Sequence, residues 1–227
     1  MLTDFQKYRF RLYRLRALAV FSLLFFFYGC FDYEEKIVFN NDFSGVISFH
    51  YTVPLYPDEN RTMLQYFPIE KADIEEKWQK SISEYSINYL ETNSINKYLR
   101  KTATVSYKIE FLNPAELERL MIGENHIKME KKTLIIERQF PHGSPVGKDA
   151  DRISRQIHGI INQSLNERFI NFSFEVPPIY YLKSNLGSNE APHILKISIP
   201  LKKMLMDTED VKWKVQVTTN PFSQAQN

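Results

Sequence analysis

The sequence predicts an α+β domain in which a mainly antiparallel sheet packs against two longer helices, preceded by an N-terminal signal peptide. Several short segments alternate apolar and polar residues as half-buried strands do, and two longer stretches repeat apolar residues at helical spacing. The elements occur in the order hairpin, helix, strand, short helix, two strands, helix and three strands. This order lacks the regular alternation of strand and helix that is typical of a parallel α/β fold.

The N-terminus has the three parts of a secretory signal. A basic segment, KYRFRLYRLR, is followed by an apolar segment from Ala17 to Tyr28 and then by Gly29 and Cys30. The apolar run is shorter than the roughly 20 residues that a membrane-spanning helix needs. The sequence therefore predicts a cleaved signal and export of the remaining chain, since a basic flank tends to stay in the cytoplasm.

The end of this signal carries the only cysteine of the chain. The residues Phe27-Tyr28-Gly29-Cys30 resemble the lipobox of bacterial lipoproteins. The resemblance implies that Cys30 is the lipidation site, that acyl chains such as palmitate hold it to a membrane, and that Gly29 is the signal cleavage position. An exported chain with one cysteine cannot form an internal disulfide, which agrees with a modified thiol. Two alternatives stay open: Cys30 ends an uncleaved anchor, or it is a free thiol near a cut made elsewhere.

The predicted organisation has four parts. Residues 1–29 are the signal peptide, residues 30–36 an anchor and tether, residues 37–219 a single α+β domain, and residues 220–227 a disordered polar tail. Pro177-Pro178 and the following SNLGSNEAP loop could instead separate two lobes. We favour one domain.

The first half of the domain begins with a predicted hairpin. Ile47, Phe49, Tyr51 and Val53 alternate onto one face after the turn cluster NNDFSG. A proline-containing loop then leads to a long amphipathic helix from residue 71 to about residue 99, with a possible break near Asn93. Its apolar stripe, at helical spacing, consists of Ile74, Trp78, Ile82, Tyr85 and Tyr89.

The second half starts with an alternating strand over residues 103–111. Asn113 before Pro114 predicts an N-cap and a short helix to about Met121, and two strands should flank Lys131-Lys132. A second helix is predicted from Asp149, with three strands over residues 169–176, 194–199 and 211–219 closing the domain. The helix stripe is Ile153, Ile157, Ile160, Ile161 and Leu165, and the inward residues of the last strand are Val211, Trp213, Val215 and Val217.

Charge and motifs exclude several classes of function. The chain has a formal net charge of +2, but the basic signal accounts for this excess, and the remaining chain is near neutral. Such a body lacks the basic footprint of a nucleic-acid-binding protein. The loop from Gly143 to Asp149 lacks the spacing of a phosphate-binding loop.

Catalytic and metal-binding patterns are also lacking. The histidines lie in separate segments without metal-ligand spacing, so no metal or cofactor is expected. Ser44 and Ser144 lack the surroundings of a nucleophile elbow. The acid pairs Glu34-Glu35 and Glu75-Glu76 are interpreted as solvated. The sequence therefore predicts a protein that is not an enzyme.

Aromatic residues in predicted loops suggest one further surface. Tyr56, Tyr66, Phe67, Tyr180 and Tyr181 either cap the core beneath loops or form an apolar surface for a lipid or a partner protein. The hairpin layout and its NNDFSG turn are similar to lipoproteins of the LppM type. That resemblance implies an α+β body connected with lipid binding.

These observations predict an exported lipoprotein, anchored by acyl chains on Cys30 and located outside the cytoplasm, in the periplasm or on the surface of a bacterial envelope. Its folded part is expected to act as a non-catalytic interaction or structural module with envelope proteins or lipid as partners and with no nucleic acid. The alternatives are a lipoprotein that binds a lipid or another apolar ligand and, less favoured, an extracytoplasmic enzyme.

Overall fold

The structure, a computed structural model, describes residues 32–56, 60–62, 64, 66–93, 99–140, 168–206 and 209–219. Within these ranges the protein is built mainly of strands, which form two sheets, and its three helices are short. The strands are β1 (Asp32–Phe39), β2 (Gly45–Pro54), β3 (Ser83–Asn93), β4 (Leu99–Phe111), β5 (Glu124–Glu130), β6 (Thr133–Phe140), β7 (Phe169–Glu175), β8 (Tyr180–Ser184), β9 (Ser188–Ala191), β10 (Ile194–Pro200) and β11 (Val211–Thr219). The helices are α1 (Lys71–Trp78), α2 (Pro114–Leu120) and α3 (Leu201–Met206).

The predicted fold class is therefore wrong: the sheets pack on each other and on short helices, not on two longer ones. The first predicted helix ends after two turns, at Gln79, whose backbone is left-handed with φ 51°. The chain then forms β3, which pairs antiparallel with β4. Tyr85 and Tyr89 are four residues apart, a spacing that also places them on one face of a strand, and Ile87 between them fits only the strand. The second predicted helix lies outside the described residues.

The larger sheet has seven strands in the order β3-β4-β2-β1-β7-β10-β9. The predicted hairpin is confirmed as β1 and β2, which pair from Asp32 opposite Thr52 to Phe39 opposite Gly45. The strand β1 also pairs with β7, in parallel. The first strand begins at Asp32, so residues 32–36 belong to the sheet although the sequence suggests a tether there.

The smaller sheet has four strands in the order β5-β6-β11-β8. The two strands predicted around Lys131-Lys132 are confirmed as β5 and β6. In β11 the predicted inward residues are buried, and the intervening lysines are not. The strands β8 and β9 form in the segment predicted as a loop, and α3 follows β10 where no helix is predicted.

The helix α2 confirms the predicted N-cap. The side chain of Asn113 accepts a hydrogen bond of 3.0 Å from the backbone N–H of Glu116, and Pro114 opens the helix. Leu117 and Leu120 are buried, so α2 packs its apolar face beside β4 and β5.

The core lies on the inner face of the seven-stranded sheet, which two layers cover. Over β7, Phe172 and Phe174 contact Trp213 of the smaller sheet, with ring centroids 5.6 and 5.5 Å apart. Over β2, Phe49 stacks on Trp78 of α1 at 5.5 Å. The outer face of the large sheet is polar and is left to solvent by the described residues, as is usual for one face of a largely antiparallel sheet.

Candidate functional site

The predicted lipidation site, Cys30, and the predicted cleavage position, Gly29, lie outside the described residues. The structure does show where the chain joins the fold: Asp32 is the first residue of β1. We call the end of the sheet at which β1 begins the Asp32 end. The opposite end, at the β1–β2 turn (residues 40–44), is the turn end. Any anchor at Cys30 therefore connects to the domain at the Asp32 end.

The Asp32 end gathers the termini of several strands. Pairing places Asp32 beside Thr52 near the end of β2, and Tyr33 beside Ile170 near the start of β7. Pro54 lies opposite Thr102, and Leu90 of β3 lies opposite the same threonine. Six strands of the large sheet thus have one terminus at this end: β1, β4 and β7 begin here, and β2, β3 and β10 end here.

The residues just before α1, Tyr66 to Ile69, are held against the sheet near this end by hydroxyl groups. The Tyr51 hydroxyl donates to the carbonyl oxygen of Pro68, and the Tyr85 hydroxyl donates to that of Ile69 at 2.7 Å. Ile69 is buried, and Phe67 packs its ring edge against Tyr51 at 5.3 Å. The segment is therefore part of the folded body.

Of the predicted apolar surface, Tyr56, Tyr66 and Phe67 lie at the Asp32 end. Phe67 packs into the core edge, whereas the side chain of Tyr66 is 79% exposed. The backbone carbonyl of Tyr66 accepts a hydrogen bond of 2.5 Å from the Lys77 amine, so an ordered backbone presents this ring to solvent. Tyr56 is exposed beneath the guanidinium of Arg61, 5.0 Å from its ring centroid.

The Lys77 amine occupies a partly apolar position. It lies 4.5 Å from the ring centroid of Trp78 and 5.9 Å from that of Phe67. Burial of the amine lowers the pKa of Lys77 to about 8, because desolvation disfavours its charged form.

The other two predicted residues, Tyr180 and Tyr181, lie at the turn end. The Tyr180 hydroxyl donates to the carbonyl oxygen of Asn41 at 2.8 Å, and its ring packs on Phe43 at 5.2 Å. The eight residues of β1 separate the two ends by roughly 20 Å or more, at about 3.3 Å per residue. The structure therefore does not bring the five predicted residues together in one surface.

Sequence reasoning missed a charged cluster between the two sheets. Arg138 of β6 and Glu35 of β1 form a bidentate ion pair, with Nη1–Oε1 and Nη2–Oε2 distances of 2.6 and 3.0 Å. Both side chains are almost fully buried. The Arg138 Nε donates to the Ile122 carbonyl at 2.5 Å, and the Tyr33 hydroxyl donates to Glu35 at 2.7 Å.

Aromatic rings complete this cluster. The guanidinium carbon of Arg138 lies 4.8, 4.6 and 5.6 Å from the ring centroids of Phe140, Phe172 and Trp213. Burial, and secondly the negative charge of Glu35, raises the pKa of Tyr33. The prediction that Glu35 is solvated is wrong. The signal that could have found the pair is the alternation of inward and outward residues along each strand. Glu35 occupies the inward position between Tyr33 and Ile37, and Arg138 occupies the inward position between Ile136 and Phe140.

Two further groups of polar side chains lie on open surfaces. His50 Nδ1 and Ser106 Oγ, on adjacent strands of the outer face, are 2.7 Å apart. An open depression of about 390 Å³ on the smaller sheet is lined by charged residues including Glu137 and Lys214, which pair at 2.9 Å. No cluster of metal-ligating side chains occurs among the residues that the structure describes. In the same ranges, none of the helices has the length and apolarity of a membrane span.

Comparisons with known proteins give a family and a similar solved structure. No curated protein matches the chain. The NMR structure of the folded domain of LppM from Mycobacterium tuberculosis matches with a TM-score of 0.41 and 12% identity, covering 85% of this chain and 92% of that chain. The resemblance to LppM that the hairpin layout suggests is thus also found in the structural comparison. A family model described as LIC11874-like matches residues 25–221, and the chain therefore belongs to the LIC11874-like family.

Proposed function

We propose that the protein is exported, acylated on Cys30 and held at a membrane of a bacterial envelope, where its folded part acts as a non-catalytic interaction or structural module. The position of the first strand carries this proposal. Cleavage before Cys30 keeps the whole of β1 (Asp32–Phe39) in the mature chain. A cut a few residues later would remove Tyr33 and Glu35, which are buried between the sheets.

The placement of polar groups supports a non-catalytic role. The strongest charged cluster, Glu35 with Arg138, is buried between the two sheets, and its two charges are paired with each other and not turned toward solvent. The pair of His50 and Ser106 lies on an open sheet face, where water would compete with any bound reactant. These features suit a module that acts through its surface.

The intact mass of the protein, extracted from membranes in mild detergent, tests the anchor. We expect a mass that lacks residues 1–29 and includes added acyl chains, with the Cys30→Ala variant as the matched control that stays unprocessed. A wild-type chain of full precursor mass, or a processed chain without acyl mass, would contradict the lipoprotein proposal.

The interaction role is tested separately by crosslinking in intact cells. We expect wild-type protein to be recovered with envelope proteins in addition to its monomer. Recovery of the monomer alone, from cells in which the intact mass shows acylation, would contradict the interaction role and leave the anchor standing.

A further inference from the structure

We propose that the Asp32 end of the domain is a membrane-contacting surface whose exposed side chains rest in the headgroup region of the bilayer that holds Cys30. Its principal residues are Tyr56, Tyr66, Leu90 and Phe169. The inference rests on the proposed acylation of Cys30 and goes beyond it, because an acylated cysteine does not by itself require the folded body to touch lipid.

The length of the chain between anchor and fold is the first argument. Only Phe31 separates Cys30 from Asp32. At about 3.6 Å per extended residue, the Cα atoms of Cys30 and Asp32 are at most about 7 Å apart. The headgroup region on each side of a bilayer is of similar thickness. An acylated Cys30 therefore keeps the Asp32 end at the bilayer surface.

The distribution of exposed apolar groups is the second argument. Eight large hydrophobic side chains are exposed among the residues that the structure describes. Five of them lie at or near the Asp32 end, namely Tyr56, Tyr66, Tyr89, Leu90 and Phe169. The other three are Leu112, Met129 and Ile179. Single exposed hydrophobic residues are normal, but their concentration beside the attachment point is not explained by the core.

The chemistry of these residues suits contact with the headgroup region of a bilayer. Tyrosine is enriched where a membrane meets water, because its ring is apolar and its hydroxyl is polar. At the Asp32 end, Arg61 lies over Tyr56, and Lys77 holds the backbone of Tyr66. Each of these two tyrosines therefore has a basic side chain in contact with it, through the ring of Tyr56 and through the backbone of Tyr66, and basic side chains are attracted to anionic lipid headgroups.

A lipid surface fits this end better than a soluble partner does. Leu90 and Phe169 belong to strands on opposite sides of β1 in the sheet order, so the exposed groups flank the attachment point on both sides. With so short a connection, the bilayer itself is the neighbour that this end meets. A protein partner would have to displace it.

The test uses the full chain, expressed with its own signal and reconstituted in protein-free vesicles of phosphatidylethanolamine and phosphatidylglycerol. Tyr66→Cys and Leu112→Cys are labelled with an environment-sensitive fluorophore, and quenching by spin-labelled lipids is measured. These two side chains are matched in exposure, 79% and 74%, but lie at opposite ends. Acylation blocks the thiol of Cys30, so only the introduced cysteine is labelled.

We expect at least threefold stronger quenching at position 66 than at position 112. Leu90→Cys, at the Asp32 end, provides a second reporter should Tyr66→Cys fail to fold, and the same excess is expected there. Equal quenching at both ends, or stronger quenching at position 112, would overturn the membrane-contacting surface while leaving the anchor intact. Labelling of the unsubstituted chain would reveal a free Cys30 thiol and overturn both proposals.

Discussion

The strand β1 carries two arginine–carboxylate pairs that differ mainly in their surroundings. Asp32 pairs with Arg168 at the Asp32 end at 3.0 Å, where the two side chains are 55% and 31% exposed. Glu35 pairs with Arg138 between the sheets, where both are almost fully buried and every oxygen of the carboxylate is hydrogen-bonded. Water and salt screen the first pair. The charged groups of the second pair are shielded from water and depend on each other and on neighbouring groups in the core for their hydrogen bonds. Removing one partner of each pair should therefore change the free energy of unfolding by amounts that differ severalfold.

The largest effect is expected from breaking the buried pair. Glu35→Gln or Arg138→Met removes one partner and leaves the other buried without its counterpart, which should lower the free energy of unfolding by about 3–5 kcal/mol. Urea unfolding measures this loss. The double variant Glu35→Leu/Arg138→Met should be more stable than either single variant, because no unpaired buried charge remains. A double variant that loses the sum of the single effects would contradict this account.

A smaller effect concerns Tyr33 and its pH dependence. Tyr33→Phe removes a hydrogen bond to a buried carboxylate and should cost about 1.5–3 kcal/mol at neutral pH. Burial raises the pKa of Tyr33, Tyr51 and Tyr107. Each ionises more readily in the unfolded chain, so their stabilisation is complete below the ordinary tyrosine pKa of 10 and is lost as pH rises above it.

Unfolding midpoints measured in urea between pH 8 and pH 11 test this dependence. The wild-type protein should lose stability above pH 10, and Tyr33→Phe should lose less over the same interval, with Tyr51 and Tyr107 still contributing. Identical slopes for the two proteins would show that the Tyr33 hydroxyl is not buried as the structure has it.

The exposed pair should respond weakly. Asp32→Asn or Arg168→Gln is expected to lower the free energy of unfolding by no more than about 1 kcal/mol. The difference from wild type should vanish in 1 M salt, because the Debye length there falls to about 3 Å. A cost similar to that of Glu35→Gln would contradict the contrast between the two pairs.

The smallest effect is expected at Tyr66. Since its side chain is 79% exposed, Tyr66→Ser should change the free energy of unfolding by less than about 0.5 kcal/mol. The neighbouring change Phe67→Ser, which removes a ring packed on Tyr33 and Tyr51, should cost several times more. Thermal unfolding of both variants compares them, and a large loss at Tyr66 would assign it to the core.

The sequence alone determined the elements in which local signals agree. The hairpin, the capped helix α2 and the strand β11 each combine a clean alternation or cap with turn residues at their ends, so neighbouring residues specify them. The same applies to the signal-like N-terminus, which is read from composition and order. Its processing and its acylated Cys30 remain predictions.

Only the tertiary structure decided the secondary structure of the segment after Gln79. The four-residue spacing of Tyr85 and Tyr89 fits one face of a helix and one face of a strand equally, and the pairing with β4 makes the segment a strand. The tertiary structure alone joined Glu35 to Arg138 across 103 positions of sequence, since no local rule identifies which two charges share a buried space. It also separated Tyr66 from Tyr180. Adjacency in a sheet depends on strand order, and strand order is set by the packing of the whole core.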